Sequence, residues 1–174
     1  SSVELSSCST AFLKDYPRHI RENVGDIEKY IEERLGSDIK ALKEAGRHDT
    51  ISELYSFIRE KKDIDALIKA ENESYESFLF DIAYSLNENG DLRDAAFLYK
   101  TYLGLNKDSS AALNNLALIY EKNGELKKAQ DTIKKAKKCA DENDEVINRN
   151  YARLVQKKSQ SEQAGNLEKE EEGN

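Results

Sequence analysis

Residues 89–95 read NGDLRDA and residues 123–129 read NGELKKA, with Gly90 and Gly124 standing 34 residues apart. Each stretch follows apolar residues at helical spacing. Before the first lie Leu79, Ile82, Ala83 and Leu86; before the second lie Leu113, Leu116, Ala117 and Tyr120. Steps of three and four residues keep such side chains on one face of an α-helix. Glycine after a helix lets the chain take the positive φ that ends it. The pattern then resumes with Ala95, Tyr99 and Tyr102, and with Ala129, Ile133 and Ala136. The unit is a helix, a corner and a helix, and it occurs twice. Ala83 facing Ala95, and Ala117 facing Ala129, are expected to let the two helices of each pair approach closely. One such pair cannot bury its own apolar faces, so neighbours must stack.

The two segments, 76–109 and 110–143, resemble tetratricopeptide repeats in period and pattern. Leu79 and Leu113 stand where that family usually has Trp. Two departures are visible. Tyr102 takes a position that is usually small, and Lys107 and Asp141 replace the Pro that commonly closes the repeat. The resemblance implies an all-α fold: a helical-hairpin solenoid wound as a right-handed superhelix, here with extra N-terminal helices. The segment 146–157 looks like the solvating helix that ends such arrays.

Outward from the repeats, helices are expected at 75–89, 92–104, 110–123, 126–140 and 146–157. Residues 1–17 lack periodicity, end at Pro17, and read as a disordered or loosely docked arm. From Ile20 to Leu42 apolar residues recur at spacings of 4, 3, 4, 4, 4 and 3. This predicts one long helix that continues through Gly36 and stops at Gly46. Thr50 with Glu53 offers a capping box for a helix carrying Ile51, Leu54, Tyr55 and Ile58. A short helix near 64–70 and a polar junction at 71–74 follow. Aligning Gly46 with Gly90 makes 18–73 a degenerate hairpin, although Ile39 and Ile51 fall where small residues are expected. The domain organisation is then an arm (1–17), an N-terminal helical region (18–73), a repeat domain with its cap (74–158) and a disordered acidic tail (159–174).

Composition narrows the function. The 174 residues are 38% hydrophobic and 35% charged, with one Pro, a high charge that suits an elongated helical surface. The net charge is −7, of which residues 159–174 carry −4 (five Glu against Lys169), leaving the body only mildly acidic. General attraction to nucleic acid or to an anionic membrane is not expected. No stretch has the length of apolar residues that spans a bilayer. Cys8 and Cys139 read as free thiols in a reducing, cytoplasmic setting. With no Met in it, the chain reads as a processed form or a piece of a longer one. Leu5-Ser6-Ser7-Cys8 resembles a lipobox, so an exported or lipid-anchored protein is the alternative if an upstream signal has been removed.

No enzyme is expected. His19 and His48 are the two histidines, and neither stands at metal-ligand spacing from the other or from a Cys. No glycine-rich phosphate loop, GxSxG or CxxC occurs, and no cofactor or metal is implied. The lysines at 127, 128, 134, 135, 137 and 138 offer an RNA-binding reading of 127–138. No aromatic residue interleaves with them, so a solvated helix face is the simpler account.

The resemblance directs attention to the groove instead. In that family the first helix of each repeat lines the concave face and takes an extended peptide or a helix. The inward positions here are Phe80, Asp81, Tyr84, Asn87 and Glu88, then Asn114, Asn115, Leu118, Glu121 and Lys122, then Arg149. One subclass grips acidic C-termini through a two-carboxylate clamp. Asn115 and Arg149 match two of its positions, but Phe80, Tyr84 and Glu145 occupy the rest, which disfavours it. The expectation is an adaptor or scaffold that binds a peptide or amphipathic helix of another protein. The alternative is a structural protein that forms a homodimer or larger assembly through the 20–42 helix.

Overall fold

The computed structural model describes residues 10–61, 73–157 and 162. They fall into two compact units that part between Lys107 and Asp108. Every regular element among the described residues is helical.

The first unit opens with α1 (Thr10–Asn23), which contains Pro17. The expected arm therefore overlaps a helix. Tyr16 and Ile20 lie one turn apart on it and are both fully buried, and that burial outweighs the Pro signal. Residues 1–9 lie outside the described residues. The expected single helix from Ile20 to Leu42 is split. Asp26 takes an extended conformation (φ −123°), and its carboxylate accepts the backbone N–H of Glu28 at 3.1 Å and of Lys29 at 3.2 Å. It caps a new helix, α2 (Ile27–Tyr30), so the break falls at 24–26. The stripe kept its phase across that break, which is why periodicity alone did not reveal it.

Beyond Tyr30 the helix passes through a π-helical segment (Ile31–Leu35) into α3 (Gly36–Glu44). Gly36 is helical (φ −59°), as the stripe predicts. Ile27, Ile31, Leu35 and Ile39 recur every four residues, which overshoots the 3.6 residues of an α-turn. The wider π turn takes up that excess and keeps Ile31, Leu35 and Ile39 buried together. Helix α4 (His48–Lys61) starts two residues before Thr50, so Thr50 sits inside its first turn and is buried there, not at the cap. The expected short helix at 64–70 lies outside the described residues.

Helices α5 (Glu73–Glu88) and α6 (Leu92–Leu105) complete the first unit. The second unit holds α7 (Ser110–Lys122), α8 (Leu126–Cys139) and α9 (Glu145–Gln156). Ser109 caps α7 at the N–H of Ala112, and Asp144 caps α9 at the N–H of Ile147. Ala83, Ala95, Ala117 and Ala129 are all fully buried. Only such small side chains leave room for two helix backbones at these crossings. Gln130 on α8 donates to the backbone carbonyls of Leu154 at 3.0 Å and Lys157 at 2.9 Å, closing the end of α9. The expected acidic tail lies outside the described residues apart from Glu162.

The three corners share one geometry. Gly46, Gly90 and Gly124 have φ of +68°, +87° and +76°. At each, the N–H after the glycine reaches back to a carbonyl five residues earlier: Arg47 to Leu42 at 2.8 Å, Asp91 to Leu86 at 2.8 Å, Glu125 to Tyr120 at 2.9 Å. The glycine N–H bonds Lys43, Asn87 and Glu121 respectively, at 3.0 to 3.1 Å. This double bond is the Schellman closure. The α3–α4 pair is thus a hairpin with the same corner as the repeats, although its sequence there is Ala45-Gly46-Arg47. A Cβ added at any of the three glycines meets nothing within 4 Å, so strain in φ is the whole penalty. Gly46→Ala, Gly90→Ala and Gly124→Ala are each expected to cost about 1 to 2 kcal/mol in urea unfolding. A negligible loss at Gly46 alone would show that its corner does not share the constraint.

Candidate functional site

In the first unit the residues of α5 expected to face inward meet α3, α4 and α6. The Phe80 ring stands edge-on to Tyr99 and Tyr102, with centroids 5.5 and 5.4 Å away. Tyr102, too large for its usual position, is accommodated by that pairing. Asp81 forms an ion pair with Lys43 at 2.6 Å. The same ammonium lies 4.9 Å from the centroid of the Tyr84 ring, within cation–π range. Tyr84 also meets His48 edge-on at 5.9 Å, and His48 Nδ1 lies 3.0 Å from Ser85 Oγ. Asn87 is half-buried and Glu88 exposed. The structure therefore groups Asp81 and Tyr84 with Lys43 and His48, which sequence reasoning left out, and sets Phe80 against Tyr99 and Tyr102. A signal existed: aligning Gly46 with Gly90 places Lys43 at the position of Asn87, one of the inward residues.

In the second unit the residues of α7 expected to face inward divide into two sets. Asn114 is buried; its Oδ1 accepts from Asn150 at 2.9 Å, and its Nδ2 donates to Asn115 Oδ1 at 3.3 Å. Glu121 takes a two-pronged grip from Arg153 and a third donor from Lys157 at 3.2 Å. The Arg153 hydrogen bonds, foremost, hold its carboxyl below the usual glutamate range. Asn114 and Glu121 thus fasten α7 to α9. Asn150, Arg153 and Lys157 were missed, although they recur at helical spacing on that helix. Asn115 and Leu118 are half-buried, and Lys122 and Arg149 are exposed. Leu118 is apolar yet lies outside the fully packed positions of α7.

The other candidates resolve differently. Lys127 pairs with Asp131, Lys128 with Glu125, and Lys137 with Asn148, so half of the lysine cluster is engaged on α8 and α9. His19 stacks on Tyr16. Cys139 is exposed with its thiol free, and its Sγ lies 3.9 Å from Asp108 Oδ1. Cys8 lies outside the described residues. Among the described residues no group of three or more His, Cys, Asp or Glu is placed to hold a metal ion. No helix among them is long and apolar enough to cross a membrane.

Paired helices, fully buried alanines at their crossings and identical glycine corners define the repeat in space. A family model described as Tetratricopeptide repeat matches residues 86–164. Over residues 86–164 the chain is a tetratricopeptide-repeat array. The match opens in the last turn of α5 and runs through α6, α7, α8 and α9. It takes in the whole of the second expected repeat and the closing helix of the array. The tetratricopeptide match does not reach α1–α4, whose α3–α4 hairpin shares the glycine corner of the repeats. No curated protein matches the chain. Tetratricopeptide repeats are in general protein–protein interaction modules.

Proposed function

We propose that this chain is a non-enzymatic adaptor whose tetratricopeptide helices hold a peptide or helix of a partner protein. The observation that carries this reading is Leu118, an apolar residue left half-buried on α7 beside Asn115 and Lys122, while its neighbours Leu116, Ala117 and Ile119 are buried. A half-exposed apolar side chain flanked by polar groups is what a peptide anchor needs. Arg149 adds an exposed cation in the same unit. On α5, Glu88 and the half-buried Asn87, Tyr84, Asp81 and Phe80 would offer a corresponding face, its geometry set by Lys43 and His48. The exposed free thiol of Cys139 supports a reducing, cytoplasmic setting. Self-assembly through the 20–42 stripe draws less support, because Ile20, Ile31, Leu35, Ile39 and Leu42 are all buried inside the first unit.

Peptides selected from a displayed library on the full chain provide the test. Leu118→Ala is expected to weaken their binding about tenfold or more, with the melting temperature kept within about 3 °C. Unchanged affinity in Leu118→Ala would remove α7 as the docking face.

A further inference from the structure

The first unit also contains a pocket of about 760 Å³ between α4 and the start of α6, lined in part by Tyr55, Arg59, Leu92, Arg93, Asp94 and Phe97. None of these residues belongs to the inner faces considered above. The volume lies in the range of pockets that enclose a small ligand or a few side chains of a peptide. Its acidic groups are already engaged. Asp94 pairs with Arg59 at 2.9 Å, and Asp91, also in the lining, accepts from Ser52 at 2.6 Å and from Asn89 at 2.8 Å. The Arg59 guanidinium in turn lies 5.7 Å from the centroid of the Tyr55 ring. Arg93 is exposed and has no ion-pair or hydrogen-bond partner among the described residues. Phe97 is 44% exposed, an unusual state for a large apolar side chain. Arg93 and Phe97 stand four residues apart on α6, which puts them side by side on one helix face. The uncommitted chemistry of the pocket is therefore one cation beside one aromatic ring, with the half-buried Leu92 nearby.

We propose that this pocket is a second docking site, which takes an acidic peptide segment of a partner protein, an apolar side chain seated on Phe97 and Leu92 and a carboxylate paired with Arg93. The carboxylate supplies an ion-pair partner to Arg93, the pocket cation that has none among the described residues. The apolar anchor removes the exposed ring from water. A basic segment would face the Arg93 cation, with Asp94 already ion-paired and Asp91 already holding two hydrogen bonds.

The test titrates two synthetic peptides, Glu-Glu-Leu-Phe-Glu-Glu and Lys-Lys-Leu-Phe-Lys-Lys, into the isotopically labelled full chain and follows backbone amide shifts. The acidic peptide is expected to give saturable shifts concentrated at Tyr55, Arg59, Arg93 and Phe97. Arg93→Glu and Phe97→Ala, both changes at exposed positions, should each weaken it about tenfold. Leu118→Ala should leave it unaltered, which separates this site from the one proposed above. Equal binding of the basic peptide, shifts centred elsewhere, no saturable shift, or full affinity in Arg93→Glu would each overturn the proposal.

Discussion

Ala117→Leu is expected to cost about 3 kcal/mol of stability, whereas Ala111→Leu on the same helix should change it by no more than about 0.5 kcal/mol. Both residues belong to α7. Ala117 is fully buried, as is Ala129 on α8, whereas Ala111 is exposed. Leucine at 117 adds three carbons where two helix backbones lie close, and interiors at crystal-like density have no free volume for them. Either the hairpin opens or the side chain leaves its preferred rotamer. Urea unfolding followed by circular dichroism measures both variants, and helix propensity cannot explain a difference because the substitution is the same. Equal losses at the two positions would refute close approach as the role of Ala117.

Asp38→Leu is expected to cost about 2 kcal/mol and to loosen α1. Asp38 is almost entirely buried on α3, among apolar residues. It accepts a hydrogen bond from the Tyr16 hydroxyl on α1 and another from the Tyr30 hydroxyl at 2.9 Å, with Arg34 at 3.9 Å. Burial pushes the ionisation of both phenols to higher pH, so each hydroxyl keeps its proton to donate. Leucine removes the shared acceptor. The two hydroxyls, 3.4 Å apart, then both lose the acceptor they share at a buried site. Amide hydrogen exchange across α1 reports the loosening; unchanged protection there would count against the anchor.

The same residue predicts a pH dependence. Burial lifts the Asp38 carboxyl above the ordinary aspartate range, by more than the hydrogen bonds from Tyr16 and Tyr30 and the charge of Arg34 lower it. The folded chain therefore holds this proton more tightly than the unfolded chain. Stability from the group is full below its unfolded value, about pH 4, and is lost as pH rises through the higher folded value. Asp38→Asn cannot titrate. The stability of the parent chain relative to Asp38→Asn is thus expected to fall as pH rises from about 4 towards neutral. Parallel stability curves for the two proteins would contradict this assignment.

Much of this was legible one residue at a time. The ends of α5 to α9 follow the apolar spacing to within one or two residues, and all three corners sit at glycines that the sequence marks. The N-terminal helices were harder to read. Pro17 looked like a stop, yet Tyr16 is held in the core by Asp38, 22 residues away. The stripe from Ile20 to Leu42 stayed in phase across a break that Asp26 caps. On the inner faces, residue types at the right spacing were visible, but their partners were not. Asp81 is engaged by Lys43, 38 residues earlier, and Glu121 by Arg153, 32 residues later.

By itself the sequence determined the helices from α5 to α9, the hairpin corners and the small alanines of the repeats. Those features depend on a 3.6-residue period, on the φ that glycine alone takes easily, and on side-chain size, and each is a property of a few neighbouring residues. Only the tertiary structure decided which polar groups are consumed and which are left to meet a partner. Asn114 and Leu118 stand one helical turn apart at positions the pattern treats alike. Asn114 is buried against Asn150, and Leu118 keeps part of its surface. That difference depends on what another helix brings alongside, and spacing within one helix carries no record of it.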